Sequence, residues 1–357
     1  MKAILCAWFV FLAACGDGTV IDGFDPNLIK NGTSTPITPT TPTTPIDQGN
    51  QKYIKIGSFN IAELGNPKRE KDFKAIAQII NGLDLIALQE VQDEGGAEAV
   101  THIHTELNAI SGNHYAQPIV IPNAGKGFPG FEGYAFIYRD PVQLDNRISK
   151  NIDFRYDQKN HDIYGRVPAF AFFKAGTFDF VVASVHLQWS NIDKRKTEMI
   201  DIKQWLIEYA NRDSNQERDF IIVGDFNRYG NLSNTVIEQH QAPFDIFVDP
   251  NELGKAYRLI TLEFLPTLNT RFASLDAEST TTADSKDLYD QIIISAGAFK
   301  EYNTASSRFG EDMGVIAYDM QAPWTEKDHE AIKDAVSDHR PIWARFQIDL
   351  GDDDGQN

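Results

Sequence analysis

Cysteine is nearly absent from this chain: its 357 residues contain two, Cys6 and Cys15, both near the amino end. The rest has no disulfide to lean on, so a domain meant for an oxidising compartment must be held by core packing alone. Hydrophobic residues make up 42% of the sequence, ample for one large core with non-core extensions. Positive charge is short as well. Against 51 Asp and Glu stand 33 Lys and Arg, a formal net charge of -18, so no global positive field exists to hold a polyanion, and any anion must be captured locally. The apolar run Ala3–Ala14 is too short to span a bilayer as a mature helix, which takes roughly 20 residues.

The two ends carry signals of their own. Met1-Lys2, the apolar run and the ending Leu12-Ala13-Ala14-Cys15 give a charged head, a hydrophobic stretch and a small-residue site, the pattern of a secretory signal over residues 1–14. That ending resembles the bacterial lipobox. The resemblance implies a lipidated Cys15 as the first mature residue, a membrane anchor through its acyl chains, and a place in the bacterial cell envelope. Gly16 after the cysteine agrees with outer-membrane sorting, the folded domain being periplasmic or extracellular. Residues 15–50 are expected to form a solvated tether, since Pro36, Pro39, Pro42 and Pro45 alternate with threonines. Residues 351–357, with Asp352, Asp353 and Asp354 in a row, read as an acidic solvated tail. One domain, 51–350, lies between, and no internal repeat is evident.

Within that domain short hydrophobic strands alternate with a few amphipathic helices. Strands are expected at Tyr53–Asn60, Leu85–Gln89, Ala135–Tyr138, Ala169–Phe173, Phe178–His186, Phe220–Asp225, Gln291–Ser295 and Ile342–Ile348. Phe73, Ile76, Ala77 and Ile80 share a helical face in Lys68–Asn81, and Gly82 stands where a helix cap takes positive φ. Val100, Ile103, Leu107 and Ile110 predict a second helix, and Met199, Ile202, Leu206 and Tyr209 a third over Asp193–Asn211. Many strands with few helices point to two packed sheets with helices outside.

Polar residues fall in a telling place: Asn60, Glu90, His186, Asp225 and Asn227 each end a hydrophobic strand. Glu90 closes the apolar run from Leu85, where a carboxylate is costly unless it meets a cation. That cation is either a structural arginine or a metal, and magnesium needs few protein carboxylates. Asp225 and Asn227 stand two apart, so in an extended segment both face one side; alone, the pair is equally a strand-to-turn cap. His186 and His339 lie at separate strand edges, and imidazole titrates close enough to neutrality to activate water or to protonate a leaving oxygen.

Ser58-Phe59-Asn60, Leu88-Gln89-Glu90-Val91, Ser184-Val185-His186, Gly224-Asp225-Phe226-Asn227, Tyr289-Asp290-Gln291 and Ser337-Asp338-His339 occur in the order and rough spacing of the endonuclease/exonuclease/phosphatase superfamily, which the chain resembles from about residue 53 to 348. Within it the sequence is most similar to the deoxyribonuclease I-like branch: Asp93 follows Gln89-Glu90-Val91, Glu132-Gly133-Tyr134 matches that branch's Glu-x-Tyr strand, and His186 stands where other branches often carry tyrosine or asparagine. The resemblance implies an α/β fold, a four-layer α/β-β/α sandwich of two packed mixed sheets flanked by helices. It also implies a metal-dependent phosphodiester hydrolase, a nuclease cleaving DNA by water attack on phosphorus with Mg2+ or Mn2+. Glu90 would bind the metal with Asn60 and Asp338 nearby, while Asp225 and Asn227 would hold or orient phosphate, metal and water. His339, oriented by Asp290, would activate the water; His186, oriented by Glu132, would protonate the leaving oxygen; Arg166 would contact the scissile phosphate. Thr280–Ser285 is similar to a loop that holds structural Ca2+ in some relatives, though such loops are commonly just turns. Gln92 departs from the branch, which tends to place there an arginine that reaches into the DNA minor groove.

Two other readings stay open at this level. Relatives with the same centre cleave phospholipid headgroups or inositol phosphates, and Gly127-Phe128-Pro129-Gly130-Phe131 is a faint candidate for a membrane-inserting hairpin. A non-catalytic surface binding module is the other, opposed by the presence of both histidines and all the acids. No protein partner is implied, and a monomer is expected.

Overall fold

A computed structural model describes residues 52–122, 132–145, 166–212, 218–227, 259–262, 289–295, 297–302 and 312–351, all within one compact unit, Pro45–Asn357. The expected signal peptide with Cys15, the tether to residue 50, the hairpin 127–131, the calcium loop 280–285 and the aspartates of the tail lie outside the described residues.

Alternating apolar side chains build two six-stranded sheets. The first runs in the order β11-β12-β1-β2-β4-β3, from β1 (Tyr53–Leu64), β2 (Leu85–Gln92), β3 (Ile119–Ile121), β4 (Glu132–Tyr138), β11 (Met313–Val315) and β12 (Ile342–Gln347). The second runs β5-β6-β7-β8-β10-β9, from β5 (Gln143–Leu144), β6 (Ala169–Ala175), β7 (Phe178–His186), β8 (Phe220–Asp225), β9 (Leu259–Leu262) and β10 (Asp290–Ser295). Both are mixed: β1 with β2 and β7 with β8 are parallel, and each parallel pair spans a helical crossover, α1 (Phe73–Ile80) in the first and α3 (Ile192–Arg212) in the second. Helices α2 (Gly96–Ser111) and α4 (His329–Ala335) are the other α-helices among the described residues.

Three apolar clusters define the layers. Ile54, Ile56, Leu85, Ala87, Tyr134 and Phe136 of the first sheet meet Phe173, Phe180, Val182, Ile221, Val223 and Ile292 of the second. The outer face of the first sheet, including Phe59, Ile86 and Leu88, packs on Ile76, Ile80, Val100, Ile103, Leu107 and Ile332 of α1, α2 and α4. Val181, Ala183 and Ile222 on the outer face of the second sheet pack on Met199, Ile202 and Leu206 of α3. Helix, sheet, sheet, helix is the four-layer order expected. One local expectation fails. Helix α1 begins after the capping side chain of Asp72 and ends at Asn81 in the right-handed region, and Gly82 is not among the residues with positive φ; the chain leaves this helix without the left-handed turn that a glycine would serve.

Candidate active site

The inward alternation that buries Ile54 and Ile56 on β1 continues to Ser58 and Asn60. On β7 it carries Phe180 and Val182 to Ser184 and His186, and on β8 Ile221 and Val223 to Asp225. Read backwards it leads from Ile294 and Ile292 to Asp290 on β10, and from Phe136 and Tyr134 to Glu132 on β4. On β7, β8, β10 and β4 that terminal position is polar, and on β1 the alternation reaches Asn60 before the strand runs on to Leu64. Because β4 is antiparallel to β2, and β10 to β8, those positions share one end of the sandwich. Just beneath, Ser58 Oγ donates to Gln89 Oε1 (3.2 Å) and Gln89 Nε2 to Ser184 Oγ (2.8 Å), tying the two sheets with buried hydrogen bonds.

Asn60 Nδ2 sits at the centre, donating to Glu90 Oε1 (3.1 Å) and to Asp225 Oδ2 (3.0 Å). Glu90 ends the alternation of β2 with φ +60, and its second oxygen accepts from the Glu63 backbone N–H (2.8 Å). Its partners are an amide and a backbone N–H, and the structural arginine of the alternative reading stands at Glu132 instead. Two imidazoles face one carboxylate oxygen: His186 Nε2 lies 3.5 Å and His339 Nε2 3.7 Å from Asp225 Oδ2. His339 Nδ1 donates to Asp290 Oδ2 at 2.8 Å, the pair that the family resemblance singles out. Glu132 Oε2 accepts from Arg166 Nε at 2.5 Å, while His186 Nδ1, 3.5 Å from the same oxygen, is buried without a hydrogen bond. Asn227 is not in extended backbone but at φ +51; its N–H caps Asp225 Oδ1 (2.7 Å) and its Nδ2 donates to Leu187 O (2.8 Å). The pair is joined by a turn, not by sharing a strand face.

Burial and mutual charge set the protons. Burial, helped by the fields of Arg166 and His339, holds His186 well below the ordinary imidazole value, and hence neutral. Burial opposes charge on His339 too, but Asp290, Asp225 and Asp338 outweigh it and raise that imidazole well above its usual value. Glu132 is pushed up to about 7 by burial and by Glu90, against the pull of Arg166, and Asp225 is raised by burial and by Asp290. Asp338 is held low because His339 and Lys333 overcome its burial. Lys333 Nζ is 2.6 Å from Asp338 Oδ2.

Oxygen donors suit a hard divalent cation. The buried Asn60 Oδ1 has no hydrogen-bond partner, and Glu90, Glu132 and His186 each offer a ligand atom within 4.8 Å of the others. Glu90 and Asn60 thus fit a cation, and Glu132 and His186 are in reach of the same place. Asp338, the third residue that the resemblance placed near the metal, meets Lys333. Three supporting contacts were not expected from the sequence. Ser337 Oγ donates to Asn60 O (2.6 Å), Tyr134 OH accepts from the His186 backbone N–H (3.1 Å), and Tyr318 OH donates to Ser337 O (2.8 Å). Ser337 and Tyr134 lie inside motifs that the sequence singled out, but their contacts do not show there, since each acts on backbone brought near only by folding; Tyr318 lies in no such motif.

Comparison with known proteins finds relatives over most of the chain. The family model described as Endonuclease/Exonuclease/phosphatase family matches residues 57–339. The chain is 25% identical over 314 residues to a deoxyribonuclease of Thioalkalivibrio sp. (strain K90mix), covering 82% of this chain and 71% of that protein. It is 23% identical over 299 residues to deoxyribonuclease-1-like 2 of Mus musculus, covering 82% and 92% respectively. A solved endonuclease/exonuclease/phosphatase family protein from Bacteroides thetaiotaomicron shares the fold with a TM-score of 0.50 at 16% identity, over 84% of this chain and 96% of that one.

Proposed function

Since the chain belongs to the endonuclease/exonuclease/phosphatase family, in its deoxyribonuclease I-like branch, and is a hydrolase of phosphoric ester bonds, we propose that it cleaves DNA phosphodiesters with His186 and His339 as a base and acid pair. The observation that carries this reading is the meeting of both Nε2 atoms on Asp225 Oδ2, 3.5 and 3.7 Å away. A phosphodiester needs one group to take a proton from water and another to give one to the departing oxygen.

The charge states favour a division of labour opposite to the one the family resemblance implies. His339, kept charged chiefly by Asp290 and Asp225, has a proton to give to the leaving oxygen. Neutral His186 has a lone pair to receive one. Asp225, capped by Asn227, aligns both rings, and Arg166 on Glu132 supplies positive charge for a phosphate in an otherwise acidic chain. Glu90 and Asn60 would hold a divalent cation, which when bound neutralises charge building on the phosphate oxygens. The deciding experiment is a substrate panel of plasmid DNA, RNA, sphingomyelin vesicles and inositol phosphates, run on the protein lacking residues 1–50, with magnesium and with chelator. Nicking of plasmid that chelator abolishes supports the reading; hydrolysis of lipid or inositol phosphate with DNA intact overturns it.

The reading includes a location. Acylation of Cys15 would hold the enzyme in the cell envelope on a Thr/Pro-rich tether, supported by the Leu12-Ala13-Ala14-Cys15 ending. Labelled palmitate should enter the wild-type chain expressed in a bacterium and fail to enter Cys15→Ala; label in the variant would sink this part.

A further inference from the structure

Three large apolar side chains are exposed among the described residues, Ile200 37%, Trp189 55% and Met320 60%, and Trp189 is the aromatic one. It stands three residues beyond His186. At most about 3.6 Å per residue separates it from the site. The intervening backbone is fastened to the catalytic strand: Leu187 N donates to Asp225 O (2.8 Å), and Leu187 O accepts from Asn227 Nδ2 (2.8 Å).

The next two residues are gripped from α3. Arg195, 1% exposed, donates from Nε to Gln188 O (2.7 Å) and from Nη2 to Trp189 O (2.6 Å). Glu198, also 1% exposed, accepts from Gln188 N at 2.8 Å. Burying two charged side chains is costly, and here both hold the peptide that presents an exposed indole. Lys194 and Lys196, on either side of Arg195 at the start of α3, are exposed. An exposed indole on a pinned peptide, one short segment away from the catalytic centre, can receive an unpaired nucleobase. Since the chain carries a net charge of -18, electrostatic grip is weak and uncharged stacking has more to contribute.

We propose that Trp189 is a stacking platform for a nucleobase beside the scissile phosphate, and that the enzyme therefore prefers single-stranded or locally unpaired nucleic acid to duplex. In a duplex each base is already sandwiched between its neighbours, so the indole has no face to meet. The inference rests on the phosphodiesterase reading of the site and deepens it.

The test compares kcat/KM on a single-stranded oligonucleotide, its duplex and bis-p-nitrophenyl phosphate, for wild type, Trp189→Ala and Trp189→Phe. Wild type should favour the single strand over the duplex. Trp189→Ala should lower the ratio of single-strand to small-ester kcat/KM by about 5- to 150-fold, the range for one stacked base, and bring single strand and duplex together, while Trp189→Phe restores most of the ratio. A ratio unmoved by Trp189→Ala, or equal losses on all three substrates, would overturn the platform while leaving nucleolytic cleavage standing. Wild type that hydrolyses the small ester but no nucleic acid would instead remove the DNA reading itself. Sedimentation with sphingomyelin vesicles that Trp189→Ala abolishes would reassign the indole to a membrane and overturn the proposal.

Discussion

At the scale of single residues the site is a distribution of protons. His186 and His339 are the same side chain with opposite fates: burial, helped by Arg166 and His339, keeps the first uncharged, while at the second Asp290, Asp225 and Asp338 outweigh burial. That difference yields a prediction about leaving groups. With DNA, whose leaving alkoxide needs a proton, His339→Ala and His186→Ala should each lower kcat by about 10²- to 10⁴-fold. With bis-p-nitrophenyl phosphate, whose leaving phenoxide does not, His339→Ala should recover most of that loss and His186→Ala should not; recovery in His186→Ala instead would restore the order that the resemblance implies. Glu132 governs a pH effect. Its carboxyl is raised from 4.5 to about 7, so its share of stability is complete below about 4.5 and is lost as pH climbs through 7. A cation beside the ionised carboxylate offsets that loss, and protons compete with metal below it. Magnesium should therefore raise the melting temperature more at pH 8 than at pH 6, and an equal shift at both would argue against Glu132 near the cation. The types and order of these residues were legible in the chain; their protonation was not, since it depends on burial and on partners as distant in sequence as Asp290 and His339.

Elements explain why the polar positions converge. Period-two alternation, visible in the sequence, sets Asn60, His186 and Asp225 in step with the inward apolar residues that precede them. What alternation does not show is where it breaks. Glu90 and Asn227 leave strand geometry at φ +60 and +51, and Glu90 there meets Asn60 and the Glu63 N–H. Glycines make the same point. Gly82 looked like a left-handed cap but is ordinary, with nothing within 4 Å of an added Cβ. Gly224, at φ +142, would drive a Cβ to 1.9 Å from Val185 O on the neighbouring strand. Gly224→Ala should lower stability by more than about 2 kcal/mol and Gly82→Ala by less than about 1 kcal/mol, read from urea unfolding. A tolerated Gly224→Ala would mean that β7 and β8 do not approach as closely as described.

For the whole molecule, charge and capture are at odds. A chain of net charge -18 must take an anion through a few local groups such as Arg166, so KM for DNA should rise with salt along a shallow slope equivalent to about one to three phosphate contacts. A slope like that of six or more contacts would show a basic surface beyond the described residues. Size and composition determined a disulfide-independent core, and the run of short motifs determined the family. Apolar periodicity determined strands and helices because burial selects side chains every second or every 3.6 positions. Only the tertiary structure decided that strand ends from two sheets share one rim, that Asp338 meets Lys333 and that Arg166 holds Glu132. Arg166 and Glu132 are 34 residues apart, and Asn60 and Asp225 165 apart; such meetings are set by how two sheets pack, which no local pattern encodes.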